Sequence, residues 1–190
     1  MSALGPYLQQ GTLNRSAQPT LPAPGGLVLR PWTEQDAAVL VAAYADPDIA
    51  RFNRRTMDSR AEALDWVRGW SARWQKETGA NWAVCDSRQE VVGRAALSRI
   101  NLAEGDGELG YWVLPRARGK GAASNAVEAL KEWAFRTVGL QRLQLSHSVR
   151  NEPSCRVAGR TGFAFEGTRR SGLRHADGWH DMHVHAAVRP

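Results

Sequence analysis

The feature that most constrains the fold of this chain is a glycine turn between an apolar segment and an amphipathic helix. Residues 108–114 have the composition of a strand, and apolar side chains recur at helical spacing over residues 123–138. Between them lies Arg116-x-x-Gly119-x-Gly121-Ala122. A helix start carries unpaired backbone N–H groups and a partial positive charge, and glycines there let an anion approach closely. The turn therefore predicts a phosphate-binding site, although a turn that uses glycine only for its dihedral angles has the same pattern.

Strand and helix signals continue on both sides of this turn. The pattern predicts helices after Thr33, after Ser59, after the glycine turn and after Asn151. It predicts strands over residues 27–32, 81–85, 91–100, 108–114, 140–149, 163–171 and 179–188. Mixed strands and helices in this order indicate one α/β (α+β) domain over residues 27–190.

The first 26 residues differ from the rest in composition. They contain glycine, proline, glutamine, serine and threonine, with few large apolar side chains and no strand or helix period. We interpret residues 1–26 as a flexible N-terminal leader. The alternative is an ordered arm that packs on a partner chain.

Composition excludes several classes of protein. The longest apolar run, residues 37–45, has nine members, whereas a membrane span needs roughly 18. The first residues lack the basic start and apolar core of a secretory signal. Two cysteines, Cys85 and Cys155, argue against a disulfide framework and against a four-ligand zinc site, so we expect a cytoplasmic protein.

Other phosphate-binding and nucleic-acid-binding classes lose support from absent motifs. The chain has neither a Walker A sequence nor a GxGxxG followed by an acidic residue after a second strand. It also lacks helix-turn-helix and RNP-type sequences. Residues 116–174 hold 12 basic and 4 acidic residues, a local charge of +8, whereas the rest of the chain sums to −2, which gives the net charge of +6. The positive charge is therefore concentrated around the glycine turn, which makes nucleic acid an unlikely partner.

Four ordered blocks together resemble one protein family. They are Glu108-Leu-Gly-Tyr-Trp-Val with its glycine turn, Asn151-x-x-Ser154, Gly162-Phe163-x-x-Glu166-Gly167, and Gly178-Trp179-x-Asp181. In that order they resemble the GNAT N-acetyltransferases, in the RimJ/RimL-type branch of ribosomal-protein N-terminal acetyltransferases. The resemblance implies a mixed, mostly antiparallel central sheet flanked by helices, with splayed central strands that form an acyl-CoA notch. A homodimer is implied by the resemblance alone.

The resemblance also implies which residues bind acyl-CoA. Backbone N–H groups of the turn would hold the pyrophosphate, and backbone groups of two strand residues would pair with the pantetheine amides. Asn151 would contact the pantetheine arm, although an N-cap of the following helix is the alternative role. The expected cofactor-binding residues are Trp112, Val113, Arg118, Gly119, Lys120, Gly121, Ala122, Asn151 and Ser154.

Two residues are candidates for the chemistry of acyl transfer. Ser154 matches the family position near the thioester sulfur, where it would protonate the leaving thiolate. Glu108 lies near the strand position where relatives carry a carboxylate, and would remove a proton from the amine, with a water chain as the alternative. The stretch 171–176 has no acidic residue where some RimL-type enzymes carry a glutamate, so ribosomal-protein specificity does not follow.

Two further groups of side chains have competing interpretations. Trp66, Trp70 and Trp74 share one helix face and would form an acceptor wall, or else pack in the core. His183 and His185 share a strand face while His180 lies on the other, and no cysteine or carboxylate completes a ligand set at suitable sequence spacing. We therefore expect no metal.

The sequence as a whole predicts a CoA-dependent N-acyltransferase. Acetyl-CoA is the expected donor, and a protein N-terminal α-amino group or a small-molecule amine is the expected acceptor. A longer donor such as succinyl-CoA, a catalytically silent acyl-CoA sensor and a basic nucleic-acid-binding module are the alternatives.

Overall fold

The computed structural model describes residues 5–53 and 55–190. One eight-stranded sheet forms its centre. The strands are β1 (Leu21–Ala23), β2 (Leu27–Pro31), β3 (Gly79–Cys85), β4 (Val91–Asn101), β5 (Asp106–Val113), β6 (Arg142–Ser148), β7 (Ala164–His175) and β8 (Gly178–Val188). The helices are α1 (Ala37–Ala45), α2 (Pro47–Asn53), α3 (Arg60–Gln75), α4 (Ala122–Trp133) and α5 (Glu152–Arg160).

The sheet is mixed and mostly antiparallel. Its order is β1-β2-β3-β4-β5-β6-β8-β7, and only β5 and β6 run parallel to each other. A parallel pair needs a crossover connection, which α4 supplies between β5 and β6. Helices cover both faces, so the fold class and the single α/β domain expected from the sequence are confirmed.

The two parallel strands separate part of the way along their length. Pairing between β5 and β6 ends at Leu109 and Leu145. Beyond that point β5 remains paired with β4 as far as Val113, and β6 remains paired with β8 as far as Ser148. The sheet is therefore open between β5 and β6, which confirms the predicted notch.

The sheet separates two apolar cores. On one face α4 and α5 pack over a core centred on Leu97, Leu130 and Leu143, which are fully buried. On the other face α1, α2 and α3 pack over a smaller core that contains Leu40 and Trp112. Side chains alternate between the two faces along each strand, so adjacent residues of β5 face different cores.

Local sequence signals fix the ends of two helices as expected. The Ser59 side chain accepts from the Glu62 backbone N–H at the start of α3, and the Asn151 side chain accepts from Ser154 at the start of α5. The short helix α2, which begins at Pro47 directly after α1, was not predicted. Within the described part of the chain, no helix has the length and apolar character needed to cross a membrane.

The N-terminal segment differs from the flexible leader expected for residues 1–26. Its described part, residues 5–26, packs along the domain, with Leu13 and Leu21 buried and β1 paired to β2. It packs against its own chain in this structure, and the alternative of an arm on a partner chain stays a prediction. Residues 1–4 lie outside the described residues, and the boundary at residue 27 stays a prediction.

Side chains of the domain hold this segment in place through hydrogen bonds to its backbone. The indole N–H groups of Trp74 and Trp82 donate to the carbonyls of Ser16 and Pro19 at 3.0 and 2.8 Å. The buried carboxylate of Glu77 accepts backbone N–H groups from the same segment. Because every sequence carries backbone donors and acceptors, composition gave no sign of these contacts.

Candidate active site

The notch between β5 and β6 opens into a cavity of about 700 Å³. That volume lies in the range of small-molecule and cofactor sites, roughly 300–1,000 Å³. The splayed strands, the glycine turn, α2, the hairpin of β7 and β8, and the start of α5 surround it. Residues of the predicted site that line it are Glu108, Trp112, Val113, Arg118, Gly119, Gly121, Ala122, Asn151 and Ser154.

The glycine turn closes one end of the cavity and begins α4. Gly119 and Gly121 have φ angles of +76° and +80°, in the left-handed region that favours glycine. Gly121 is the N-cap of α4, so the N–H groups of Ala122 and its neighbours point out of the helix end. Lys120 is exposed beside the turn and does not line the cavity. The turn presents backbone donors where an anion can approach.

The Arg118 side chain anchors this turn to the neighbouring helices. Its guanidinium donates to Asp46 Oδ1 and Asp48 Oδ2, both at 2.7 Å, and its Nε donates to the Val113 carbonyl at 3.3 Å. Burial opposes the charge of Asp46, but hydrogen bonds from the Ile49 backbone and from Arg118 leave the pKa of Asp46 lowered. The guanidinium therefore positions the turn, and two carboxylates already engage it.

One hydroxyl pair crosses the notch from β5 to α5. Tyr111 Oη and Ser154 Oγ are 2.7 Å apart, and either oxygen can donate. Burial raises the pKa of Tyr111 to about 12, although the hydrogen bond with Ser154 acts in the opposite direction. The phenol is therefore protonated at neutral pH. Sequence analysis assigned Tyr111 no role, and its place in the block that begins at Glu108 was the signal that could have drawn attention to it.

Glu108 lies on the opposite face of β5 from Tyr111, because the two are three positions apart and side chains alternate between faces along a strand. Its carboxylate bonds Arg99 Nη1 at 2.7 Å, and both side chains line the cavity. The Arg99 side chain is largely exposed. A ligand in the notch therefore meets a hydroxyl pair on the α5 side of the sheet and a carboxylate on the α1–α3 side.

The tryptophan stripe does not reach the cavity that the acceptor-wall prediction required. Trp66 and Trp74 are buried, and none of the three described tryptophans lines the cavity. Trp74 stacks on Trp133 at 6.3 Å, whereas Trp66 packs edge-on against Trp32 at 5.8 Å. The reason is that α3 places its large apolar side chains on the sheet. Trp66 and Trp74 therefore pack in the core, Trp70 is partly exposed, and an acceptor-binding role for the stripe stays a prediction.

A cationic side chain of β4 also lines the cavity. Arg94 on β4 lines the cavity, its Nε donates to Asn81 Oδ1 at 3.0 Å, and its Cζ lies 5.6 Å from the rings of both Trp66 and Trp70. Burial lowers the pKa of Arg94, but a guanidinium stays charged at neutral pH. Among the described residues no carboxylate forms an ion pair with it, so a ligand anion could.

A chain of three polar side chains leads from the cavity to the surface. Ser148 Oγ, which lies at the cavity wall, is 2.8 Å from His180 Nδ1, and His180 Nε2 is 2.7 Å from Asp177 Oδ1. The Arg150 guanidinium, which can only donate, also lies 3.2 Å from His180 Nε2, so the tautomer of His180 depends on whether Nε2 bonds this arginine or Asp177. His180 is fully buried, whereas Asp177 is partly exposed.

Three other histidines form a cluster that their positions in the sequence do not indicate. His183 and His185 lie together as expected, but His147 from β6 and Cys155 from α5 join them. Spacing in the sequence does not indicate this group, because the helix and strand that supply Cys155 and His147 are distant in sequence from β8. Burial lowers the pKa of His147 and of His185.

The notch, the glycine turn and the hydroxyl pair together define an acyltransferase, and comparison with known families agrees. Residues 26–164 match the model described as the acetyltransferase (GNAT) domain. The chain therefore belongs to the GNAT acetyltransferase family, as the resemblance indicated.

Individual relatives support the same assignment. The uncharacterized N-acetyltransferase YoaA of Bacillus subtilis is 25% identical over 166 residues, 86% of this chain and 94% of the relative. The ribosomal-protein-serine acetyltransferase of Escherichia coli is 29% identical over 99 residues, 52% of this chain and 55% of the relative. The structure of Mycobacterium smegmatis RimJ in complex with CoA-disulfide has a TM-score of 0.81 at 24% identity, and the match covers 90% of this chain and 86% of that one.

Proposed function

We propose that this enzyme transfers an acetyl group from acetyl-CoA to a primary amine by direct attack in a ternary complex. The observation that carries the proposal is the notch between β5 and β6, which ends at the N-terminus of α4 and opens toward α2. An extended pantetheine arm can pair with the exposed β5 edge as an added strand would. An amine can then approach from the side of α2.

The proposed donor site uses mainly backbone groups. The N–H groups over residues 118–122 bind the pyrophosphate, and the backbone of Trp112 and Val113 pairs with the pantetheine amides. Lys120 adds positive charge at the rim. The Asn151 side chain caps α5 at 3.2 Å from the Ser154 N–H while it also lines the cavity, so the alternative roles of this residue are compatible.

The proposed chemistry needs a proton acceptor for the amine and a donor for the thiolate. Glu108 takes a proton from the ammonium group, the neutral nitrogen attacks the thioester carbon, and backbone N–H groups of β5 stabilise the oxyanion. The C–S bond then breaks and the amide forms. The thiolate takes a proton from Ser154, and the second proton that the nitrogen loses returns to Ser154 through solvent. Tyr111 in turn donates its hydrogen bond to Ser154, which favours this transfer.

The Ser148 hydroxyl offers a second route for the amine proton. It faces the same side of the sheet as Glu108 and passes its own proton toward His180, which Asp177 orients. Two variants separate the routes. A Glu108→Gln variant that keeps full activity, together with an inactive His180→Gln variant, would move the role of base from the carboxylate to this chain.

Arg94 favours an acceptor that carries an acidic group near its amine. A guanidinium without an acidic partner at the cavity wall matches a carboxylate of the acceptor. Protein N-termini and small amines both remain candidate acceptors. The relatives named as ribosomal-protein acetyltransferases do not specify the acceptor of this chain. We place the enzyme in a reducing cytoplasm, where its two free cysteines persist, and propose a homodimer.

The experiment has two stages. Calorimetry with acetyl-, propionyl- and succinyl-CoA tests the donor site, and we expect acetyl-CoA to bind most tightly. No binding of any acyl-CoA would remove the proposal. An acceptor panel, read by thiol release, then compares amines with and without a carboxylate and N-terminal peptides, and tighter succinyl-CoA binding would instead support the longer donor.

A further inference from the structure

Four potential metal ligands lie together behind the acyl-CoA notch. His147 from β6, His183 and His185 from β8, and Cys155 from α5 each offer one ligand atom, and these four atoms lie within 4.8 Å of one another. His147 and His185 are buried, and the other two are partly buried. Three elements that are separate in sequence therefore bring one sulfur and three nitrogens to one point.

Hydrogen bonds direct one histidine nitrogen of the cluster toward its neighbours. His147 Nδ1 lies 2.8 Å from the Ser148 carbonyl, which can only accept, so Nδ1 carries the proton. The lone pair of His147 Nε2 then points to His185 Nε2, 3.2 Å away. Histidines that bind metals commonly donate their second N–H to a backbone carbonyl in this way.

A second histidine contributes a buried nitrogen with no hydrogen bond. Within the part of the chain that the structure describes, His183 Nδ1 has no hydrogen-bond partner and is inaccessible to solvent. A buried polar atom of this kind is costly unless a ligand satisfies it. Together with the orientation of His147, it indicates that the group is built for an ion.

We propose that His147, Cys155, His183 and His185 bind one Zn²⁺ or a similar borderline-soft divalent ion. Nitrogen and sulfur donors without a carboxylate select such ions over Mg²⁺ and Ca²⁺. Ligand atoms around tetrahedral zinc lie ~3.3–3.7 Å apart. The two Nε2 atoms are already at about this separation, and small side-chain rotations bring the others closer by about 1 Å.

Four protein ligands complete the coordination sphere of a tetrahedral ion and leave no open position for substrate, which is typical of a structural site. The ion would fasten the first turn of α5 to β6 and β8. Ser154 precedes Cys155 in that turn, so the site would also fix the hydroxyl that faces Tyr111. Metal binding and acetyl transfer remain separate properties, because the ion contacts neither substrate in this proposal.

Cobalt spectroscopy on the full-length protein tests the site. After dialysis against a chelator, the protein is titrated with Co²⁺, and we expect one equivalent to give tetrahedral visible bands and a sulfur-to-metal charge-transfer band. One equivalent of Zn²⁺ should abolish both. No stoichiometric binding at micromolar Co²⁺, or the weak spectrum of an octahedral site, would overturn the proposal.

Variants identify the ligands. Cys155→Ala should remove the charge-transfer band, and His183→Gln should weaken Co²⁺ binding at least ~10-fold, the loss expected for one ligand contact of about 1.4 kcal/mol. The matched control Cys85→Ala changes the other cysteine, on β3, and should keep the spectrum and the affinity. A band that survives Cys155→Ala contradicts the assignment.

Thermal unfolding gives a readout that does not depend on the spectrum. Zn²⁺ should raise the unfolding midpoint of the unaltered chain and of Cys85→Ala, because an ion that binds only the folded state stabilises it. The midpoint of Cys155→Ala should not rise comparably. Equal shifts in all three proteins would mean adventitious binding and reject the site, and circular dichroism confirms that each variant is folded.

Discussion

At the scale of single residues, a hydroxyl pair and an arginine give the cavity its chemical character. Tyr111 stays protonated because it is buried, and its hydrogen bond to Ser154 places two exchangeable protons at the notch. Arg94 keeps its charge beside two indole rings and lacks an acidic partner among the described residues. One end of the cavity is therefore suited to a leaving thiolate, and its acceptor side to an anion.

Removal of either hydroxyl should slow the chemical step without weakening donor binding. We expect Ser154→Ala and Tyr111→Phe to lower kcat by ~10²-fold, the lower range for general acid catalysis. The acetyl-CoA Kd from calorimetry should stay within about twofold, because the backbone supplies the donor contacts. Tyr7→Phe removes an exposed hydroxyl elsewhere and serves as the control. Unchanged kcat in both active-site variants would show that neither hydroxyl transfers a proton.

Arg94→Met should discriminate between acceptors. A hydrogen bond to a charged group contributes ~1.5–3 kcal/mol, so KM for a carboxylate-bearing amine should rise ~10- to 100-fold. KM for a neutral amine should change little, as should the acetyl-CoA Kd. Arg68→Met, on the exposed side of α3, is the matched control. Equal effects on both amines would argue that Arg94 serves only to pack against the tryptophans.

At the scale of elements, the start of α4 and the start of α1 each depend on a specific local arrangement. Gly121 caps α4 with a φ of +80°, and Arg118 ties the preceding turn to Asp46 and Asp48. Asp36 precedes α1 and bonds the Arg30 guanidinium through both carboxylate oxygens at 2.8 Å. These contacts set the position of α4, whose start borders the cavity, and of α1, which packs in the smaller core.

Gly121→Ala should both destabilise the protein and weaken donor binding. A side chain in the left-handed region costs ~1–2 kcal/mol, and relief of that strain moves the N–H groups that would hold the pyrophosphate. The matched control is Gly69→Ala in α3, where an added Cβ meets nothing within 4 Å and helix propensity improves. Urea unfolding and acetyl-CoA calorimetry measure the two effects, and equal results for both variants would contradict this interpretation.

Asp36 should stabilise the protein at neutral pH, and this stabilisation should be lost in acid. Burial acts to raise its pKa, but hydrogen bonds from Arg30 and Thr33 dominate and leave the pKa of Asp36 lowered. Its contribution is then fully present above its unfolded pKa, about 3.9, and is lost as pH falls through the lower folded value. Asp36→Asn should therefore reduce the free energy of unfolding at pH 7 and flatten its decline below pH 4. Urea titrations at several pH values check this slope.

At the scale of the whole molecule, the N-terminal segment completes the core. The Glu77 carboxylate accepts the Gly11 and Leu13 N–H groups at 2.6 and 2.5 Å, and Trp74 and Trp82 donate to the same segment. These groups are satisfied only while residues 5–26 stay in place. The segment thus acts as part of the domain in this structure.

Deletion of residues 1–20 should lower the free energy of unfolding by several kcal/mol. Each polar group left without its partner costs ~1–3 kcal/mol, reduced where water reaches it. The control is deletion of residues 1–4 alone, which leaves all of these contacts intact. Urea unfolding monitored by tryptophan fluorescence measures the difference. Equal stability of the two truncated proteins would restore the interpretation of the segment as a flexible leader.

The notch illustrates how far sequence analysis reaches in this protein. The glycine turn, the caps of α3 and α5, and the residues Glu108, Asn151 and Ser154 at the cavity follow from local patterns and the family resemblance. Tyr111 did not, because its role depends on a contact with a residue 43 positions away. The tryptophan stripe was ambiguous because helical spacing shows that residues share a face and does not show what that face covers.

The sequence by itself determined the family, the order of most strands and helices, and the glycine turn that begins α4, because residues close together in the chain encode these features. Only the tertiary structure decided that His147 and Cys155 join His183 and His185, that Arg94 lacks an acidic partner among the described residues, and that the N-terminal segment packs on the core. The physical reason is that β6 pairs with β8 and α5 crosses them, so contacts over long sequence separations arise only when the sheet forms.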